Sequence, residues 1–194
     1  MPQVDRQPRH SPEEYLALDR RAEVKSEYID GEIVAMAGAS REHNLIALNF
    51  AAELHFQLKG HPCETYMADM RLGVDLAHNY AYPDVAVVCG EPEFLDDSHS
   101  DILLNPTVLV EVLSPSTEDY DRGRKFARYR RLGTLTDYVL VAQDRMQVEH
   151  YTRAGMRWSL VEYGEPDAVI ELPSIGCCLT LADVYARVVF KSAV

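Results

Sequence analysis

Two short runs of β-branched residues constrain this chain more than anything else in it. They are Asp84-Val85-Ala86-Val87-Val88 and Val108-Leu109-Val110-Glu111-Val112-Leu113. Each reads as a strand buried on both faces of a sheet. Each also carries one carboxylate: Asp84 opens the first, after Pro83, and Glu111 lies inside the second. A buried ionised carboxylate is costly unless a cation or strong donors stand beside it. If the two strands are neighbours, the acids meet at one edge of the sheet. Two oxygen ligands of this kind suit a hard divalent cation, Mg2+ or Mn2+. A plainer reading stands beside this one. Asp84 also fits a turn or cap, and Glu111 also fits an ion pair with an arginine.

The second run leads into a larger unit. Ser114-Pro115-Ser116-Thr117 stops the strand and starts a helix over about 117–132, with Gly133 as its C-cap. Asp137-Tyr138-Val139-Leu140-Val141-Ala142 is another buried strand. Strand, helix, strand in this order is a crossover, so the two strands are expected to be parallel. The helix is the basic part of the chain, with Arg122, Arg124, Lys125, Arg128, Arg130 and Arg131 inside ten residues. The net charge of −12 argues against an indiscriminate nucleic-acid coat protein. It leaves room for a nuclease with a local basic surface.

Before these runs, Ser11-Pro12-Glu13-Glu14 reads as a helix start with a capping box, Tyr15, Leu16 and Leu18 giving the apolar side. Residues 25–34 read as a β-hairpin turned at Asp30-Gly31, with Glu27 on its first arm. A helix over about 41–59 follows, capped by Ser40 and ended by Gly60. Leu45, Leu48, Ala52 and Leu54 mark its expected apolar side, and His43, in its first turn, is more simply structural than catalytic. Residues 63–74 read as one bulged strand or two segments, 75–80 as a loop, and 91–105 as a surface loop with room for a helical turn. After the crossover come strands at 146–151, 156–161 and 168–172, then a capping box, Thr180 to Asp183, for a last helix to about Val189.

The length of 194 residues fits one domain, 1–194. No apolar run approaches membrane-spanning length, and Met1 to His10 is polar, without the core of a signal peptide. Cys63, Cys89, Cys177 and Cys178 lack zinc-ligand spacing, so reduced thiols in a cytoplasmic protein are the expectation.

The residues also resemble a known group. Glu27-Tyr28-Ile29-Asp30-Gly31-Glu32, His43, Pro83-Asp84-Val85 and Val110 through Thr117 look like the core of the PD-(D/E)XK nuclease superfamily, and more narrowly like the Uma-type restriction endonucleases of bacteria. Lys125, Tyr129 and Gly133 extend the match, which covers about residues 11–190. The resemblance implies an α/β (α+β) restriction-endonuclease-like fold, with helices flanking a central mixed sheet and extra C-terminal strands. It implies Mg2+-dependent endonuclease cleavage of phosphodiester bonds in DNA, with a homodimer as the expected form for cutting two strands. In the superfamily pattern a lysine follows the second acid by two positions. Here that place holds Leu113, and in the family that this chain resembles a lysine of the next helix, here Lys125, stands in.

The chemistry then assigns roles. Asp84 and Glu111, with the carbonyl of Val112, are the expected metal ligands, and Glu27 a third carboxylate toward a second metal or Lys125. Lys125 is expected to point at Asp84 and Glu111 and to orient the attacking water, while Arg124 and Arg131 face solvent. Its removal is expected to cost rate and little stability. Arg122 and Arg128 are the expected phosphate contacts. Two rivals remain: a non-catalytic nucleic-acid-binding or assembly module of the same fold, and a hydrolase of RNA or another phosphorylated substrate.

Overall fold

The computed structural model describes residues 9–95 and 98–190. Residues 1–8 of the polar N-terminal stretch lie outside the described residues, as do two residues of the expected 91–105 loop. The chain begins with α1 (Pro12–Asp19), whose N-cap Ser11 and N3 residue Glu14 exchange the hydrogen bonds of a capping box. β1 (Ser26–Ile29) and β2 (Glu32–Ala35) form the expected hairpin. Its turn has φ +51° at Asp30 and +95° at Gly31, the positive values a tight two-residue turn needs. α2 (Arg41–Gln57) starts at the Ser40 cap. β3 (Cys63–Met67), β4 (Arg71–Asp75), β5 (Asn79–Ala81), β6 (Val85–Cys89), β7 (Ile102–Leu103) and β8 (Val108–Leu113) follow.

The basic helix comes in three pieces: α3 (Glu118–Tyr120), a π-helical turn (Asp121–Lys125) and α4 (Phe126–Tyr129). β9 (Asp137–Ala142) is parallel to β8, as a crossover requires. The chain closes with β10 (Val148–Ala154), β11 (Arg157–Tyr163), β12 (Val169–Leu172), β13 (Cys177–Thr180) and α5 (Leu181–Val184).

The strands form a mixed six-stranded sheet in the order β11-β10-β9-β8-β6-β3, a five-stranded sheet in the order β2-β1-β5-β4-β7, and the pair β12-β13. Alternation along the strands sorts the core into layers. Val85, Val87, Val108, Val110 and Val112 pack with α2 and the C-terminal β12-β13-α5 unit. Ala86, Val88, Leu109 and Leu113 point the other way, toward Tyr129, Leu132 and Tyr138. Tyr15, Tyr28, Tyr80 and Ile102 make a third cluster, where α1 covers the five-stranded sheet.

Several expectations need correction. α2 buries Ile46, Ala47, Phe50, Ala51 and Leu54, whereas Leu48 and Ala52 are exposed. Apolar residues occur all round this helix, so counting them picked the wrong stripe. Leu18 of α1 is likewise exposed, and Asp19 takes its place inside. The 63–74 segment is two strands that belong to different sheets. The expected 75–80 loop contains the start of β5, and the 91–105 loop carries β7 but no helix among its described residues. β13 was not foreseen, and α5 ends at Val184. The regular part of the basic helix stops at Tyr129, and Gly133 does not adopt the left-handed cap conformation. The expected all-reduced thiols give way to a disulfide between Cys63 and Cys89, directly opposite each other on β3 and β6; Cys177 and Cys178 are free. Among the described residues no helix is long and apolar enough to cross a membrane.

Candidate active site

The β6–β8 ladder pairs Val85 with Val110. The sequence-based expectation of neighbouring strands therefore holds. Asp84 sits in the bend just before β6, and Glu111 is the residue after Val110 on β8. The Val112 amide donates to Asp84 Oδ2 at 2.7 Å. Asp84 Oδ1 lies 2.8 Å from His43 Nε2, in the first turn of α2. Asp84 is thus fixed at both oxygens, by one strand and one helix.

Glu111 is 4% exposed. Its Oε1 accepts from the Tyr129 hydroxyl at 2.9 Å and lies 2.8 Å from Lys125 Nζ. The same ammonium lies 3.0 Å from Glu27 Oε1 and 3.7 Å from Asp121 Oδ1. Glu27 comes from β1, so Lys125 ties an acid of the five-stranded sheet to an acid of the six-stranded sheet. The π-helical turn makes this reach possible. It adds a residue to the turn and brings Asp121, Lys125 and Tyr129 to the buried side at four-residue steps. Arg124 and Arg131 are exposed, as expected.

The electrostatics are those of a site with too few cations. Burial pushes the Glu111 carboxyl well above its ordinary range; Lys125 offsets this in part, and Asp121, Asp84 and Glu27 add to it. Burial also raises Asp121, again opposed by Lys125. Burial alone would favour a neutral Lys125, but Glu111, Glu27 and Asp121 hold its ammonium well above the usual lysine value. Asp137, the other acid inside a central strand, behaves oppositely. Burial would raise it, but hydrogen bonds with His150, Ser174 and Thr136 keep it below the ordinary value. Asp137 is a satisfied structural acid, whereas Glu111 and Asp121 are not fully neutralised.

The donor set fits a hard divalent cation of the Mg2+ kind. Such an ion keeps several waters and needs only one or two carboxylates, which Asp84 and Glu111 supply beside the Val112 carbonyl. Among the described residues no three His, Cys, Asp or Glu side chains gather at metal-ligating geometry. Any such ion would therefore be held mainly by two carboxylates, a carbonyl and water.

A second group of side chains stands behind the site. Asp19 accepts from the Ser26 amide (2.9 Å) and hydroxyl (2.8 Å), the Tyr82 hydroxyl (2.6 Å) and Arg71 (2.7 Å). Ser26 precedes Glu27 and Tyr82 lies two residues before Asp84, so one buried carboxylate anchors both acidic segments. Sequence reasoning missed Asp19, Asp121 and the His43–Asp84 contact. The capping box pointed to α1 but gave no reason to bury its last residue. The expected phosphate contacts are already engaged: Arg122 pairs with Glu118 (2.7 Å) and Glu149 (2.8 Å), and Arg128 with Asp30 (3.1 Å).

Residues 12–182 match the model of the Uma2 family, described as "Putative restriction endonuclease". This chain belongs to that family. Among its relatives, "Uncharacterized protein sll1609" of Synechocystis sp. is 40% identical over 159 residues, 81% of this chain and 89% of the relative. "Uncharacterized protein slr1290" of the same organism is 36% identical over 184 residues, 94% and 95% of the two chains. The fold is also that of a crystal structure described as a putative nuclease belonging to DUF820 from Anabaena variabilis. That likeness has a TM-score of 0.73 at 19% identity, covering 93% of this Uma2 chain and 99% of the other. The mixed α+β, restriction-endonuclease-like architecture is therefore shared, and family membership gives the chain a nuclease-like assignment.

Proposed function

We propose that this Uma2 protein is a divalent-cation-dependent endonuclease that hydrolyses phosphodiester bonds in DNA. The observation that carries the reading is the position of Lys125, buried between Glu27 and Glu111. It is one cation among more acids than it can neutralise. Asp84, Glu111 and the Val112 carbonyl would hold Mg2+ or Mn2+. When bound, the cation supplies Lewis acidity toward a phosphate oxygen and lowers the pKa of a water.

The chain's own residues do the rest. His43 and the Val112 amide fix the Asp84 carboxylate, and Tyr129 fixes Glu111. Glu27 and Glu111 hold the Lys125 ammonium inside the acidic cluster, its side chain 7% exposed. From there Lys125 orients the attacking water or offsets charge on a non-bridging oxygen in the transition state. Leu113, where the superfamily pattern has its lysine, packs in the apolar layer with Tyr129 and Leu132.

The test is nicking of supercoiled plasmid with Mg2+, Mn2+ or chelator, wild type against Glu111→Gln and Asp84→Asn. Cleavage needs the cation, and each substitution slows it about 100-fold or more. A wild type that cuts neither DNA nor RNA with any of these ions would sink the reading and favour a non-catalytic module. A substrate panel that shows cutting of RNA alone would correct the substrate.

A further inference from the structure

The basic helix presents a second stripe that the mechanism does not use. Arg124, Ala127 and Arg128 of the helix and Arg131 of the turn after it face one side. With Asp30 and Asn79 they line an open cleft of about 330 Å³. Resting on the nuclease reading above, we infer that this cleft is the track for the nucleic-acid strand flanking the scissile phosphate.

Three observations carry the inference. Arg124 and Arg131 are exposed and form no ion pair with another described residue. In a chain of net charge −12, two such guanidiniums on one stripe make a local anion site. Arg128, 13% exposed, pairs with Asp30, whose side chain is 57% exposed, and donates to the Tyr120 hydroxyl at 3.2 Å. Asp30 is the open partner, so an incoming phosphate can displace it beside a guanidinium already held in place.

The second observation is Asn79. It is only 5% exposed, lines the cleft, and its Oδ1 has no hydrogen-bond partner. A buried acceptor without a donor is costly. A phosphodiester has no donor to give it, whereas a base amino group, or the 2′-hydroxyl of a ribonucleotide, does. The cleft therefore offers cations for phosphate and an acceptor for the attached nucleoside. This chemistry fits a nucleotide strand better than inorganic phosphate.

The third observation is continuity with the site. Asn79 is paired with Ile29 across β5 and β1, and Ile29 lies two residues beyond Glu27 on the same strand face. Two strand residues span about 7 Å. Arg128 follows Lys125 by less than one helical turn. The cleft thus begins about one nucleotide from the ammonium between Glu27 and Glu111. Arg122 faces elsewhere and is held by Glu118 and Glu149.

The test is fluorescence anisotropy with a labelled DNA oligonucleotide over a range of salt, in a Glu111→Gln background so that cleavage does not intervene. Adding Arg124→Glu and Arg131→Glu together should weaken binding about tenfold or more and lower the salt slope by about two, the loss of two phosphate contacts. Arg130→Glu, exposed but outside the cleft, should change binding less than threefold and controls for net charge. Asn79→Ala should weaken oligonucleotide binding with the salt slope unchanged and the inhibition constant for inorganic phosphate unaltered. Thermal unfolding checks that each variant is folded. Binding unaffected by the double reversal, or affected equally by Arg130→Glu, overturns the cleft. An otherwise wild-type Arg124→Glu/Arg131→Glu protein that still cuts plasmid while binding the oligonucleotide normally overturns the cleft and leaves the nuclease reading standing. Cleft-dependent binding by a wild-type protein that never cuts does the reverse.

Discussion

Lys125 and Glu111 form a buried ion pair, Nζ to Oε1 2.8 Å, with side chains 7% and 6% exposed. The pair is also the bridge to Glu27, so Lys125 has a structural part besides the proposed chemical one. Little loss of stability was the expectation from sequence, and the burial reverses it. Lys125→Met leaves the carboxylates without their cation and should destabilise the protein by about 3–5 kcal/mol at pH 8. The loss should shrink at pH 5, where the raised Glu111 and Asp121 carboxyls take up protons. Urea unfolding at the two pH values measures this. Equal, small losses at both would mean that Lys125 is not neutralising the acids.

The wild-type metal-free protein should show the same chemistry without mutation. The folded Glu111 value is raised, so above the unfolded value of about 4.3 the folded state holds a proton that the unfolded chain has lost. Stability therefore falls as pH rises from there through the folded value. Glu111→Gln should flatten that slope. Mg2+ should stabilise the wild type more at pH 8 than at pH 5. A melting temperature that instead rises with pH across this window would contradict the assignment.

His43 touches Asp84 and no other acid of the site. His43→Ala should weaken cation affinity about 10–100-fold, the scale for losing a group that orients a ligand, with cleavage recovering at high Mg2+. Calorimetric titration with Mn2+ gives the affinity directly. A drop in rate that no concentration of cation restores would make His43 a participant in the chemistry.

The Cys63–Cys89 bond closes a loop of 26 residues between β3 and β6. By loop-closure entropy it should contribute about 3.5 kcal/mol. Unfolding with and without reductant, with Cys89→Ser as the control insensitive to reductant, checks this. Identical curves for the wild type with and without reductant would mean that the thiols are not bonded in solution.

Much of the fold was legible because patterns with strong local causes were present. The Asp30-Gly31 turn, the Ser11–Glu14 box and the valine-rich β6 and β8 all formed as read. Asp84 and Glu111 could be singled out because an acid in a valine run is conspicuous. What escaped was set by tertiary structure. The two sheets part between Met67 and Arg71, and no residue there announces it. The π-helical turn lies within the buried face formed by Asp121, Lys125 and Tyr129, and regular helix spacing cannot foresee an inserted residue. The 63–89 pairing depended on strands whose register only the assembled sheet supplies.

Asp19 has a consequence of a mechanical kind. It fastens the backbone before Glu27 and the side chain of Tyr82 to the same two oxygens, so the acids of two separate sheets hang from a single pin. A displacement of Asp19 is then felt by both acidic segments at once. The same arrangement makes the site brittle. Loosening that pin would blur the positions of Glu27 and Asp84 in concert, though Asp19 itself touches neither of them.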